Sequence, residues 1–294
     1  MNENRTTLLL LMVLAMVFWG GGWVANKLIV DTANIVVLSF WRFFLTFVSL
    51  APLFLFIRRS FRLSYKALRI TAAGAVLNIS FMLVAFVGVM HGMAGAAGVI
   101  ITTLSPIITI ALSAFFFAQP IRTVQVVGLG VGLFGGAVML EVWHLDPALI
   151  FDGGNGYFLL AATIWAGVTI FSQRSHLHLD PFVYSFVLSG IASAILFVMA
   201  WPKALGVIFD QNAAFWAALV YISFFGQTIA TTIYYYASGK LGSGSASAFM
   251  FIVPLSALLL SWLILDEVPS VALVAGGCIS VFAVYLITKR KGTR

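Results

Sequence analysis

The sequence predicts an all-α integral membrane protein: ten transmembrane helices arranged as two inverted five-helix repeats, with both termini cytoplasmic. Three observations carry this. Of 294 residues, 62% are hydrophobic and only 9% charged, against roughly 25% charged in ordinary soluble domains. The apolar residues gather into long runs separated by short polar gaps. The charges in those gaps fall unequally on alternate sides.

The first run, Leu8 to Ile29, is long enough to cross a ~30 Å hydrocarbon core at ~1.5 Å per residue. It exceeds the roughly 7–15-residue core of a signal sequence and has no small-x-small site at its end, so it is expected to stay as a span. The runs at 35–57, 70–90, 95–117 and 124–141 complete a first set of five. A polar stretch follows, and then five more runs at 156–173, 182–201, 215–236, 243–265 and 271–288. Runs this long and uniformly apolar suit helices, not barrel strands.

The gaps decide direction. With the N-terminus inside, the inner side receives 13 of the 16 basic residues, from Arg5 through Arg58, Arg59, Arg62, Lys66, Arg69, Arg122, Arg174 and Lys240 to the tail. The outer side receives Lys203 alone, and Lys27 and Arg42 lie within spans. Seven of the nine acids lie at or beyond the outer boundary. The positive-inside rule therefore puts both termini in the cytoplasm. The net charge of +7 reads as this topology signal, and no nucleic-acid partner is expected. Cys278 lies in an apolar run, where it serves as a small lipid- or helix-facing filler.

The halves repeat. "AFVGVMHGMAGAAGVIITTLSPIITIALSAFFFAQPI" starts at Ala85, and "IYYYASGKLGSGSASAFMFIVPLSALLLSWLILDEVP" starts 148 residues later at Ile233. At that offset Pro106 meets Pro254, Gln119 meets Glu267 and Gly128 meets Gly276, while Trp19 meets Trp165 at a nearby one. This divides the chain into a first repeat (1–145), an outer linker (146–155), a second repeat (156–288) and a basic tail (289–294). Five is odd, so the second copy crosses the membrane in the opposite sense. Inverted repeats of this kind mark transporters, with a substrate site near midplane between the halves.

The "FWGGGWVANKL" opening, "SFWRFFLTF", the small-residue run into "TTLSPIIT" and "FIVPLSALLLSWLILDEVPS" resemble the drug/metabolite transporter superfamily, and most closely its EamA family. The resemblance covers residues 8 to 288. It implies a central cavity lined by spans one, three, four, six, eight and nine. One departure stands out: family members often carry an acid after the fourth span, where this chain has Gln119, and Glu267 keeps it only in the second half.

Candidate cavity residues follow from polar and aromatic stripes on apolar helices. Trp19, Trp23, Asn26 and Lys27 fall at i, i+4, i+7 and i+8, on one helix face. Span three offers Asn78, Met82 and Ala85; span six, Trp165 and Thr169; span eight, Gln227, Thr231, Tyr234 and Tyr235; span nine, Met250. An unpaired amide in hydrocarbon is costly, so Asn78 and Gln227 should point inward, to the cavity or to a helix–helix hydrogen bond. Lys27 lies one turn before Asp31, and Arg42 lies seven residues into its span. Each has two readings: a local contact (Lys27 with Asp31, Arg42 with a helix end) or attraction of a substrate carboxylate or phosphate. Pro106 and Pro254 each free a backbone carbonyl and mark kinks or hinges. The glycine series Gly92-x-x-Gly95-x-x-Gly98 and Gly128-x-x-x-Gly132-x-x-x-Gly136 are expected to serve close helix packing. His176 and His178 are expected to be solvated in an inner loop.

No phosphate-binding glycine loop, metal-ligand cluster or cofactor motif is present. Mid-span carboxylates are absent too, leaving His91, Glu141 and Glu267, all near span ends, as candidates for proton coupling. The expectation is an inner-membrane carrier in contact with lipid and a small-molecule solute, exporting an amino acid, with aromatic ones in view. A multidrug or uptake permease of the same fold is the rival within transport. A membrane enzyme or a non-transporting subunit is the rival from another class. Monomer and homodimer both stay open.

Overall fold

A computed structural model describes residues 5–57, 63–92, 94–118, 121–139, 141–144, 154–265 and 270–288. Among these the chain is all helix, without strands. The helices are α1 (Arg5–Ile29), α2 (Ile35–Ile57), α3 (Tyr65–His91), α4 (Ala94–Phe117), α5 (Thr123–Met139), α6 (Asn155–Ser175), α7 (Pro181–Ala200), α8 (Ala213–Leu241), α9 (243–265) and α10 (Val271–Thr288). Eight helices among the described residues are long and apolar enough to cross a membrane; Thr123–Met139 and Ser243–Ala257 are apolar but shorter. Gln119, Glu267, the 146–153 part of the linker and the 289–294 tail lie outside the described residues.

α1 starts beside the end of α10, where the Arg5 guanidinium donates to Thr288 O (2.9 Å), and the start of α5 joins them through Arg122 and Ile287 O (3.2 Å). This end also gathers Arg174 and Lys240, and is called the basic end below. α6 begins at the opposite, distal end, where Gly154 meets Gly88, and finishes at the basic end, where Gln173 accepts from Ser243 N. α1 and α6 therefore run in opposite senses. α2 packs on α7 and α5 on α10; α1 packs on α8 and α9, and α6 on α3 and α4.

Small residues set the approach distances. On α5, Gly128, Gly132 and Gly136 face Ile287, Phe251 and Thr103, while Gly135 packs against Gly276 O and Ser280. Phe134 on α5, Phe282 and Tyr285 on α10 and Cys278 are exposed, as expected of helices whose outer face meets lipid. α8 and α9 join at Gly242, whose φ of +84° and ψ of +148° only glycine adopts readily.

Two helices depart from regular α geometry. In α8, Tyr221–Thr231 is a π-helix, and the hydroxyls of Thr228 and Thr231 follow its register, donating to the carbonyls five residues back (Ser223 and Gly226). In α9 a 3₁₀ segment, Phe249–Ile252, precedes Pro254. The proline lacks the N–H that would reach Met250 O, and Val253 N takes that carbonyl instead.

Candidate functional site

The three glycines of α1 lie on different sides of the helix. A Cβ on Gly20 would strike Ser256 Oγ and Ala257 N of α9, and one on Gly21 would strike the Tyr221 hydroxyl of α8. Hydrogen bonds from Ser256 Oγ to Met16 O (3.0 Å) and from Tyr221 OH to Phe18 O (3.2 Å) fix both approaches. Gly22 has nothing within 4 Å of its would-be Cβ and borders a central cavity.

That cavity bounds about 680 Å³ of space free of atoms, its open mouth included. Of the residues singled out from sequence, Trp19, Trp23, Asn26, Arg42, Asn78, Met82, Trp165, Gln227, Thr231 and Met250 line it. Ala85, on the span-three stripe, lines it too, and Gly22, Phe81, Ile101, Thr102, Ile222, Gly226 and Val253 complete the wall. Phe81 carries the clearest signal missed: it stands beside Met82 and packs on Trp165 with centroids 4.6 Å apart.

At the centre Trp19 and Trp165 meet edge to face. The Trp19 indole donates to Gly226 O (3.0 Å) and to Thr231 Oγ1 (3.3 Å). The wide turn of the π-helix thus supplies the acceptors that hold this ring. Thr102 and Met250 both line the cavity, and each lies four residues before a proline, Pro106 and Pro254. In α4, Pro106 lacks the N–H that would otherwise meet the Thr102 carbonyl.

Tyr234, Tyr235 and Thr169 lie outside the wall, in a buried layer on its basic-end side. Tyr234 OH pairs with Thr169 Oγ1 (2.8 Å), and Tyr235 OH donates to Asn78 Oδ1 (2.9 Å). Hydroxyl pairs continue toward the basic end: Ser172–Ser238 (2.6 Å), Ser185–Thr232 (2.7 Å) and Ser243–Ser113 (3.0 Å). Asn78 and Gln227 both line the cavity and hydrogen-bond across helices, so the two readings of these amides coexist.

Arg42 is 8% exposed, and its hydrogen bonds go to side chains, one of them Asn26 in the last turn of α1. Nη1 donates to Asn26 Oδ1 (3.2 Å) and Met82 Sδ (3.6 Å), and Nη2 to Gln227 Oε1 (3.4 Å). Lys27 is not part of the cavity wall and donates to Val89 O (3.1 Å) near the end of α3, making no ion pair with Asp31. His91 stacks on Tyr157, and Glu141 pairs with His144 (3.8 Å) at the distal end; neither borders the cavity. His176 corrects the expectation of a solvated loop: its ring packs against Gly239 and Tyr236, and burial with nearby Lys240 pulls it below the ordinary histidine range, partly offset by Asp180.

The EamA-like transporter family model matches residues 6–140 and again 153–289. The chain belongs to the EamA-like transporter family. It is 23% identical over 95% of its length to a probable terminal-alkyne amino-acid exporter of Streptantibioticus cattleyicolor, covering 92% of that protein. It is 22% identical to the uncharacterized transporter YoaV of Bacillus subtilis, over 92% of each chain. A WAT1-related chloroplastic protein of Arabidopsis thaliana is 28% identical over 70% of this chain, which spans about half (51%) of that relative. A solved crystal structure superposes with a TM-score of 0.73 at 18% identity, over 97% of both chains. This EamA-like transporter therefore shares its helical fold with that structure, and residues of both matched halves line its cavity.

Proposed function

We propose that this EamA-like protein exports a small amphipathic metabolite, an amino acid and in particular an aromatic one, across the cytoplasmic membrane by alternating access. In this reading all ten helices cross the bilayer as two inverted repeats, and the basic end with both termini is cytoplasmic. The opposed senses of α1 and α6, the reciprocal helix pairings and the double family match support the repeat. The hydroxyl pairs then close the cytoplasmic side, and the cavity belongs to an outward-leaning state.

One observation carries the substrate reading: Trp19, Phe81 and Trp165 form an aromatic wall in the same cavity as a buried guanidinium, Arg42. A ring or chain packs on the first and a carboxylate meets the second. The amino-acid exporter among the relatives agrees with it.

A counterflow screen in proteoliposomes tests this. Vesicles preloaded with an unlabelled aromatic amino acid should transiently concentrate its label, whereas cationic drugs and sugars should drive none. Retention no better than in empty vesicles, for every amino acid, would end the proposal. An impermeant thiol reagent outside intact cells tests the topology: it should reach a cysteine at Asn212 and not one at Ser64.

A further inference from the structure

The charge balance of the cavity carries the reading one step further. The wall contains no Asp, Glu, Lys or His among the described residues; Arg42 is its one ionisable side chain. A guanidinium keeps its proton at any physiological pH, so the cavity wall carries one fixed positive charge.

All the partners of Arg42 are neutral. Two side-chain amide oxygens and one thioether take up its terminal nitrogens, at 3.2 to 3.6 Å, and Nε is buried with no partner. N–H···O bonds usually run about 2.7–3.2 Å, so even the amides sit at the long edge. A guanidinium has five donors in a planar fork, and this one is incompletely filled. Burying a cation without an anion is costly, and the described residues offer none: Asp31 does not border the cavity, and Glu141 lies at the distal end beside His144.

We infer that the solute is bound as a carboxylate monoanion that serves as the counter-ion of Arg42, and that an α-ammonium group is tolerated without a site of its own. This rests on the proposed transport through the same cavity. A carboxylate fits the guanidinium fork in two-point fashion, toward the distal end where Asn26 and Arg42 lie. Its ring or chain then reaches Trp19 and Trp165. Among the described residues no carboxylate lines the cavity to receive an ammonium; aromatic faces, neutral amides and hydroxyls do. Binding therefore falls in the order monocarboxylate, zwitterion, neutral amide, cation.

The test is equilibrium binding to the purified protein in nanodiscs with four probes sharing one ring: 3-phenylpropanoate, phenylalanine, 3-phenylpropanamide and phenethylamine. Inorganic phosphate is a fifth. The expected result is that 3-phenylpropanoate binds at least as tightly as phenylalanine, at least tenfold more tightly than the amide, and that phenethylamine does not compete. Arg42→Gln should erase the preference for carboxylate over amide, and Arg42→Lys should keep part of it. Should Arg42→Gln fail to fold, the wild-type series and Arg42→Lys still decide. Equal binding of carboxylate and amide, preference for the cation, or full displacement by phosphate at the same concentration would overturn the assignment. Flux of phenylalanine without carboxylate preference would remove this inference and leave the transport reading intact. Carboxylate-selective binding without flux of any solute would do the reverse.

Discussion

Trp19 and Trp165, 146 residues apart in the chain, meet with ring centroids 5.2 Å apart and planes at 84°. They occupy related places in the two matched halves. An edge-to-face pair contributes about 0.5–1.5 kcal/mol beyond the area it buries, and residues in contact couple when both are changed. Trp19→Ala and Trp165→Ala should each raise the half-saturation for an aromatic solute about tenfold or more. The double variant should do little worse than the poorer single one. Independent, multiplying effects on initial flux rates would separate the rings functionally.

Proline at 254 enforces the 3₁₀ turn beside Met250, and Pro106 lacks the N–H that would otherwise meet the Thr102 carbonyl. Alanine at either position restores a backbone donor. Pro254→Ala and Pro106→Ala are expected to leave thermal stability unchanged or higher while lowering maximal flux severalfold, because each proline lies one turn beyond a cavity-lining residue, Met250 and Thr102. Loss of stability with normal flux per folded molecule would make these prolines packing elements only.

Neutral hydroxyl pairs join the helices toward the basic end. Ser172 Oγ and Ser238 Oγ are 2.6 Å apart, close enough for a disulfide after substitution. In a Cys278→Ser background, Ser172→Cys/Ser238→Cys should cross-link on oxidation, stop counterflow and recover with reductant. Full flux through the cross-linked protein would show that α6 and α8 need not part at this level.

His176 gives a pH signature outside the spans. Its folded pKa lies below the ordinary 6.5 because of burial and Lys240. The neutral form is thus favoured in the folded state, and its contribution is present above about 6.5 and lost as pH falls through the folded value. Melting temperature should drop between pH 7 and pH 5, and His176→Gln should flatten that drop. An identical profile in both proteins would free His176 from this role.

Much of the site was legible because polar and aromatic residues are rare on these helices. Trp19, Asn78, Trp165, Gln227 and Met250 stand out from their spans, and all five border the cavity. The π-helix was not legible: Ser223/Thr228 and Gly226/Thr231 spaced by five carry no more signal than many polar pairs. Its consequence, an acceptor pair for the Trp19 indole, was hidden with it. Lys27 misled because Asp31 is a turn away in sequence, while the carbonyls of the last turn of α3 lack intrahelical donors and attract a cation. Tyr235 shares a sequence stripe with Gln227 and Thr231, yet lies one layer deeper, bonded to Asn78.

The central claim is that solute passes through the cavity where Trp19, Arg42 and Trp165 meet. Counterflow of a labelled aromatic amino acid in proteoliposomes holding equal amounts of folded wild-type or Trp165→Ala protein tests it most directly. Wild type should overshoot equilibrium and the variant should fall to near the level of empty vesicles at the same solute concentration. Matching overshoots from the two proteins would place the pathway elsewhere.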